Sequence, residues 1–214
     1  MVLVVGAGPG VSGSVARRFG RDGYDLALVG LEESVLEELG GSLRAEGVGA
    51  LWRAVDITDA QAFAAAVVGL GEETGRIDVL HFNPSAFRQK SPLALTSEEL
   101  AADVTLGVGA LLTALQAARR FMSAGGRVTA TGSMAADKPW NEAASLGVQK
   151  AGLRNLLHSI DTTLKPDGIR AVSVTVRGTL AREGAFTPDR VAEAIFAAAG
   201  QDEAEWQTEV AYSG

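Results

Sequence analysis

Three features of this chain carry residue types that can do chemistry. The first is the glycine-rich turn "VVGAGPGVSGSVARRF" (4–19), where Gly6, Gly8 and Gly10 let backbone approach backbone, or a ligand, with no Cβ in the way. It follows a strand-like run and opens a helix, so the unpaired amides that begin at Val11 and the positive dipole end favour a pyrophosphate. A tight turn that binds nothing has the same glycines; the strand-before, helix-after context tips the reading to a dinucleotide. The second feature is Ser133, which closes "RVTATGS". The third is Lys150, alone in the small-residue stretch "ASLGVQKAG" (144–152). Four-residue spacing puts Leu146 on the same helix face as that ammonium, where no acid, phenol or hydroxyl stands.

Elements that would position these groups are legible as an alternation. Strand-like runs are "VLVVG" (2–6), "DLALVG" (25–30), "GALWRAVD" (49–56), "IDVLHFN" (77–83), "GRVTATG" (126–132), "IRAVSVTV" (169–176) and "TEVAYS" (208–213). Several are continuously apolar, as parallel strands covered on both faces are. Helical segments fall near 11–22, 32–46, 59–74, 96–123, 141–164 and 187–199. "TDAQ" (58–61) and "TSEE" (96–99) read as capping boxes with Gln61 and Glu99 reciprocating, and Pro166 and Gly168 stop the fifth helix. Strand–helix–strand units cross over right-handed, which predicts an α/β fold: a doubly wound, Rossmann-type, seven-stranded parallel sheet with helices on both faces. No linker or repeat divides residues 1–214, so one domain is expected to hold both the nucleotide and the active site.

Composition narrows the function classes. A net charge of -7 with no basic stripe argues against nucleic acid as a partner. The absence of cysteine excludes disulfides and thiolate metal sites and fits a cytoplasmic location; no metal site is expected. "MVLVVG" is too short for a membrane span and lacks a basic leader, so it reads as a buried strand. The second strand ends in "VGLEES", where a carboxylate would hold ribose hydroxyls and a base would welcome a 2′-phosphate. Glu32 and Glu33 without a neighbouring base tilt the reading slightly to NAD within an NAD(P) assignment; the same glutamates equally suit the first turn of a helix.

These residues resemble the short-chain dehydrogenases/reductases, and the resemblance covers essentially the whole chain. "GAGPGVS" is similar to that family's G-x-x-x-G-x-G turn, with Ser12 in place of its last glycine. "VDIT" (55–58) resembles the element that contacts adenine, which implies Asp56 and Ile57. "IDVLHFNPSA" stands where the family has I-D-x-L-V-N-N-A-G, so Asn83 matches the second asparagine. "IRAVSVTVRG" resembles I-R-V-N-x-V-x-P-G, with Arg177 for the proline and Gly178 as the cofactor-side glycine. The family works with a Ser–Tyr–Lys group supported by an asparagine on the preceding long helix. Ser133 matches the serine, and Lys150 matches the lysine that holds the nicotinamide ribose. Leu146 stands at the tyrosine position and Gly107 at that of the asparagine, which implies an atypical member.

What the resemblance implies is an NAD(P)-dependent oxidoreductase acting on a carbonyl/alcohol pair of a small molecule, with a degenerate tetrad. Its alternative is a non-redox relative: a nucleotide-binding sensor or regulatory module, or a catalyst of another reaction. His81, flanked by apolar residues, reads as a packed core histidine. The stretch "RGTLAREGAFTPDRVAEAIF" leaves only a short cover over the site, and Arg177 and Arg182 near its opening suit an anionic substrate. Small-residue stripes on helices 96–123 and 141–164 match the helices that pair between family subunits, so a homodimer or homotetramer is expected.

Overall fold

The computed structural model describes residues 1–214. Seven strands, β1 (Val2–Val5), β2 (Leu26–Gly30), β3 (Ala50–Ala54), β4 (Val79–Phe82), β5 (Arg127–Ser133), β6 (Arg170–Val176) and β7 (Glu209–Tyr212), form one sheet in the order β3-β2-β1-β4-β5-β6-β7. Every neighbouring pair is parallel. β1, β2, β4 and β6 are buried along their whole length, which is why those runs are apolar without alternation.

Helices cover both faces. α3 (Ala60–Thr74), α5 (Ala110–Ala118) and α6 (Ala144–Leu164) close one core over Leu3, Val5, Leu80, Phe82 and Ala130. α1 (Val11–Arg21), α2 (Glu33–Ala45) and α7 (Pro188–Ala199) close the other over Val2, Val4, Val172 and Val174. Strand order reverses between β1 and β4, so a crevice opens beyond their carboxyl ends, where such sheets bind ligands. The expected fold class stands as read from the sequence.

Several local expectations are corrected. The helix expected over 96–123 is interrupted: α4 (Ser97–Val104) passes into a π-helical turn, Thr105–Gly109, before α5, and the run ends in a 3-10 turn, Arg119–Phe121. "TLGVG" supplies two glycines and β-branched Thr and Val, which hold an α-helix weakly, and the widened turn packs on α6. The fifth predicted helix starts at Ala144 rather than 141, because Trp140–Ala143 closes a turn of its own. "TDAQ" forms no capping box: Asp59 caps α3 through Gln61 and Ala62 N–H, while the Thr58 hydroxyl turns to Asp56. The Thr96–Glu99 box forms as read.

Ser97–Phe121 is long and apolar enough, by length and composition, to span a bilayer. Its Leu111, Ala114, Leu115 and Ala118 are buried in the core, and α5 packs on α3. The small residues of α6 serve close packing inside the chain: a Cβ on Gly147 would meet the Ala135 carbonyl at 2.9 Å, and one on Gly152 would meet Val108 at 3.3 Å. Val148 and Leu112, 48% and 42% exposed, remain on the outer surface of α6 and α5.

Candidate active site

The glycine-rich turn lies at the strand-order reversal. Gly6 and Gly10 have φ of 76° and 91°, a left-handed backbone that only glycine adopts at low cost. Pro84 lies over Gly6 so closely that a Cβ there would meet its ring at 2.8 Å. Around Gly10 the opposite holds: no atom would come within 4 Å of a Cβ, and Pro9 and Gly10 are exposed. The first turn of α1 has no side-chain cap, so its first amides have no side-chain acceptor. Val11 points its side chain into the core, which leaves its backbone as the part a ligand could meet.

A short hydrogen-bond chain ties the turn to the strap that follows β4. Asn83 Nδ2 donates to Ser12 Oγ at 2.8 Å, and Ser12 Oγ donates to the Gly6 carbonyl at 2.7 Å. Ser12 therefore does more than stand in for a glycine: it links Asn83 to the turn. Just beyond β3, Asp56 accepts from Thr58 Oγ1 at 2.7 Å and Thr58 N at 2.8 Å, and those bonds hold its carboxyl below the usual range. Ile57 is buried in the core.

Lys150 is the unusual group. It is 6% exposed, and its Nζ donates to the Thr131 carbonyl at 2.9 Å. That carbonyl lies two residues before Ser133, so α6 brings its lysine to the strand end that carries the serine. Desolvation without a carboxylate partner pushes Lys150 from 10.5 down to about 8. Ser133 is half-buried, and its Oγ accepts from Ala135 N at 3.2 Å, leaving its O–H free to donate.

His81 is fully buried on β4, with Nδ1 2.9 Å from Thr129 Oγ1 and Nε2 unpartnered. Burial first, and the charge of Lys150 second, push it down to about 3, so it is a neutral core histidine. Leu146 is partly exposed one turn before Lys150. Gly107 lies in the π turn, and the space its side chain would take is filled by Gln149. Gly178 lies just beyond β6 under the ring of Phe186, which packs edge-on against Tyr212 at 5.6 Å. Arg177 is exposed at the end of β6.

Sequence reasoning missed Gln149, Pro84 and Phe186. The signal for Gln149 was an amide beside Lys150 opposite a helix that offers only Gly107; contacts of Pro84 and Phe186 with distant glycines carry no local pattern.

The chain is similar to known proteins over most of its length. Residues 1–183 match the family model described as short chain dehydrogenase. The chain is 28% identical over 220 residues to the cis-4-hydroxycyclohexanecarboxylate dehydrogenase of Sinomonas cyclohexanicum, covering 91% of this chain and 87% of that protein. It is 26% identical over 187 residues to the L-2,3-butanediol dehydrogenase of Corynebacterium glutamicum, covering 84% and 72%. A short chain dehydrogenase from Burkholderia cenocepacia solved with NADP superposes with a TM-score of 0.91 at 26% identity, over 100% of this chain and 96% of that one. With a matched region that takes in the glycine-rich turn, Ser133 and Lys150, the chain belongs to the short-chain dehydrogenase family.

Proposed function

We propose that this chain is an NAD(P)-dependent oxidoreductase acting on the carbonyl/alcohol pair of a small molecule, with a tetrad reduced to Ser133 and Lys150. The observation that carries the reading is Lys150: a buried ammonium with one backbone acceptor, beside the end of β5. Two of its three N–H donors are free for a ligand. The residues fit a dinucleotide, since the open space at Gly10 and the uncapped start of α1 suit a pyrophosphate. Gly6, Gly8, Gly10 and Val11 would hold it, with Asp56 and Ile57 at the adenine end, and Asn83, Lys150 and Gly178 toward the nicotinamide. The NADP-bound relative from Burkholderia supports an NAD(P) assignment. A slight preference for NAD rests on Glu32, exposed at the start of α2 with no base beside it; Glu33 is taken up by Trp52 Nε1 at 3.0 Å.

When bound, the nicotinamide supplies or accepts the hydride at the carbon bearing oxygen. Ser133 Oγ–H donates to that oxygen and orients it. Leu146 cannot move a proton, so Lys150 Nζ exchanges the proton there. A lysine near 8 is suited to that task close to neutral pH, whereas one at 10.5 is held too tightly protonated. Arg177, exposed and unpaired at the rim, suits an anionic substrate, and the relative from Sinomonas acts on a hydroxy acid. We assign the protein to the cytoplasm as a single domain, and to a homodimer or homotetramer through the outer surfaces of α5 and α6 around Leu112 and Val148.

Titration of the purified chain with NADH and NADPH tests the reading: binding to at least one is expected, and none at millimolar concentration would end it. A panel of carbonyl compounds, hydroxy and keto acids included, then reads turnover. Leu146→Tyr is expected to raise a weak reductase rate at least tenfold, since losing a general acid costs on the order of 10²–10⁴. Leu146 also favours a second reading, a nucleotide-binding sensor without redox turnover. Binding with no turnover in either variant would select it.

A further inference from the structure

Gln149 is fully buried, and its amide bonds Ala86 of the strap after β4 and Ser145 of its own helix. Oε1 accepts from Ala86 N at 2.9 Å, and Nε2 donates to Ala86 O at 3.1 Å and to Ser145 O at 3.3 Å. A side chain thus pairs with backbone as a neighbouring strand would. The pairing is possible because the helix opposite carries no side chain: a Cβ on Gly107 would lie 2.5 Å from Gln149 Oε1 and 3.1 Å from its Cδ. Any larger residue at 107 evicts the amide. Three residues upstream of Ala86, Asn83 is tied through Ser12 to Gly6. The strap 83–86 is therefore held at one end by the glycine-rich turn and at the other by the helix turn that carries Lys150.

We propose that Gln149 is a positioning residue that sets the strap 83–86 against the Lys150 turn and keeps water from that ammonium, from the lysine's own helix and in the volume that Gly107 vacates. This rests on the reading of Lys150 given above. Other charges packed near that turn are already accounted for. Asp103 of α4 is paired with Arg88 at 2.9 Å and accepts from Ser145 Oγ at 2.7 Å, and Glu99 is paired with Lys90 and Arg88. His81 of β4 stays neutral. None of these pairings uses an atom of Gln149.

The test follows the titration of Lys150 by NMR of isotopically labelled lysine in the nucleotide-free full chain. It uses wild type, Gln149→Leu and the double variant Gly107→Asn with Gln149→Ala. In Gln149→Leu the strap loosens, and Lys150 is expected to move upward from about 8 by about one unit or more toward an ordinary lysine. In the double variant the amide returns from the opposite helix, and the titration is expected back within a few tenths of wild type. A folded Gln149→Leu chain whose Lys150 titrates as in wild type would overturn the proposal; that result, with a lowered melting temperature, is what a merely structural glutamine gives. Should Gln149→Leu fail to fold, the double variant decides: restored titration supports the assignment, and an ordinary lysine titration refutes it. Failure of wild type to bind NADH or NADPH would remove the oxidoreductase reading while leaving this result standing.

Discussion

Two buried cations, Arg170 and Lys150, stand at opposite ends of neighbouring strands and are treated in opposite ways. Arg170, 4% exposed at the start of β6, is met on all sides. Asp161 accepts from its Nε and Nη2 at 2.9 Å each, Glu203 accepts from Nη1 at 2.8 Å, and the ring of Trp206 lies 4.6 Å from its guanidinium carbon. Asp161 is in turn completed by Ala171 N and Thr208 Oγ1. Lys150, equally hidden at the end of β5, has one carbonyl. A charge that only holds a fold together is paired on every side; one left half-satisfied costs stability, a cost that the ligand role proposed for Lys150 would explain. The same sheet does both, a few residues apart.

The comparison can be broken most directly at Arg170. Asp161→Ala leaves that guanidinium without its bidentate partner, and a loss of about 3–5 kcal/mol in urea unfolding is expected. A loss below about 1 kcal/mol would mean that the pair is solvated and the contrast illusory.

Next in size is the pH dependence set by Lys150. Its folded value is about 8 against an ordinary 10.5, so between those values the unfolded chain binds more protons than the folded one. The cost of burying the charge is therefore fully present below pH 8 and relieved as pH rises to 10.5, a gain of about 3 kcal/mol from this group. Urea midpoints measured across that interval in wild type and Lys150→Met isolate it: wild type must gain on the variant as pH rises and overtake it before pH 10.5.

A smaller effect of unusual sign follows at neutral pH. Lys150→Met is expected to raise stability by about 1–2 kcal/mol while abolishing nucleotide-dependent activity. A destabilisation comparable to that of Asp161→Ala would show the ammonium to be structural after all. The smallest expected change is at His81, whose ring signals should stay those of the neutral form to below pH 4 or so, with its transition at about 3; titration near 6 would place water beside β4.

Much of the fold was legible because it is local. Apolar runs such as "VLVVG" and "IRAVSVTV" can only be buried strands, and glycine turns and caps such as Thr96–Glu99 mark where helices begin. The break at Thr105–Gly109 was not, since a π turn depends on what packs against it. For the site, the positions of Ser133 and Lys150 followed from resemblance, but their environment did not. Ser12 as a link to Asn83, the amide of Gln149 over Gly107 and the ring of Phe186 over Gly178 each join segments far apart in sequence. Such contacts leave no periodicity to read. Asp59 in place of Thr58 as the α3 cap is a near miss of another kind: two adjacent residues could each cap, and Asp56 drew the threonine away.

The segment between β6 and α7 is not left to find its own shape. Tyr212 donates its hydroxyl to the Ala185 carbonyl and packs its ring edge-on against Phe186, while Ala181 N reaches the Phe186 carbonyl. The rim beside Gly178 is thus moored to the outermost strand, and whatever strains that edge of the sheet will be felt at the mouth of the crevice. In this molecule the doorway is built into the wall.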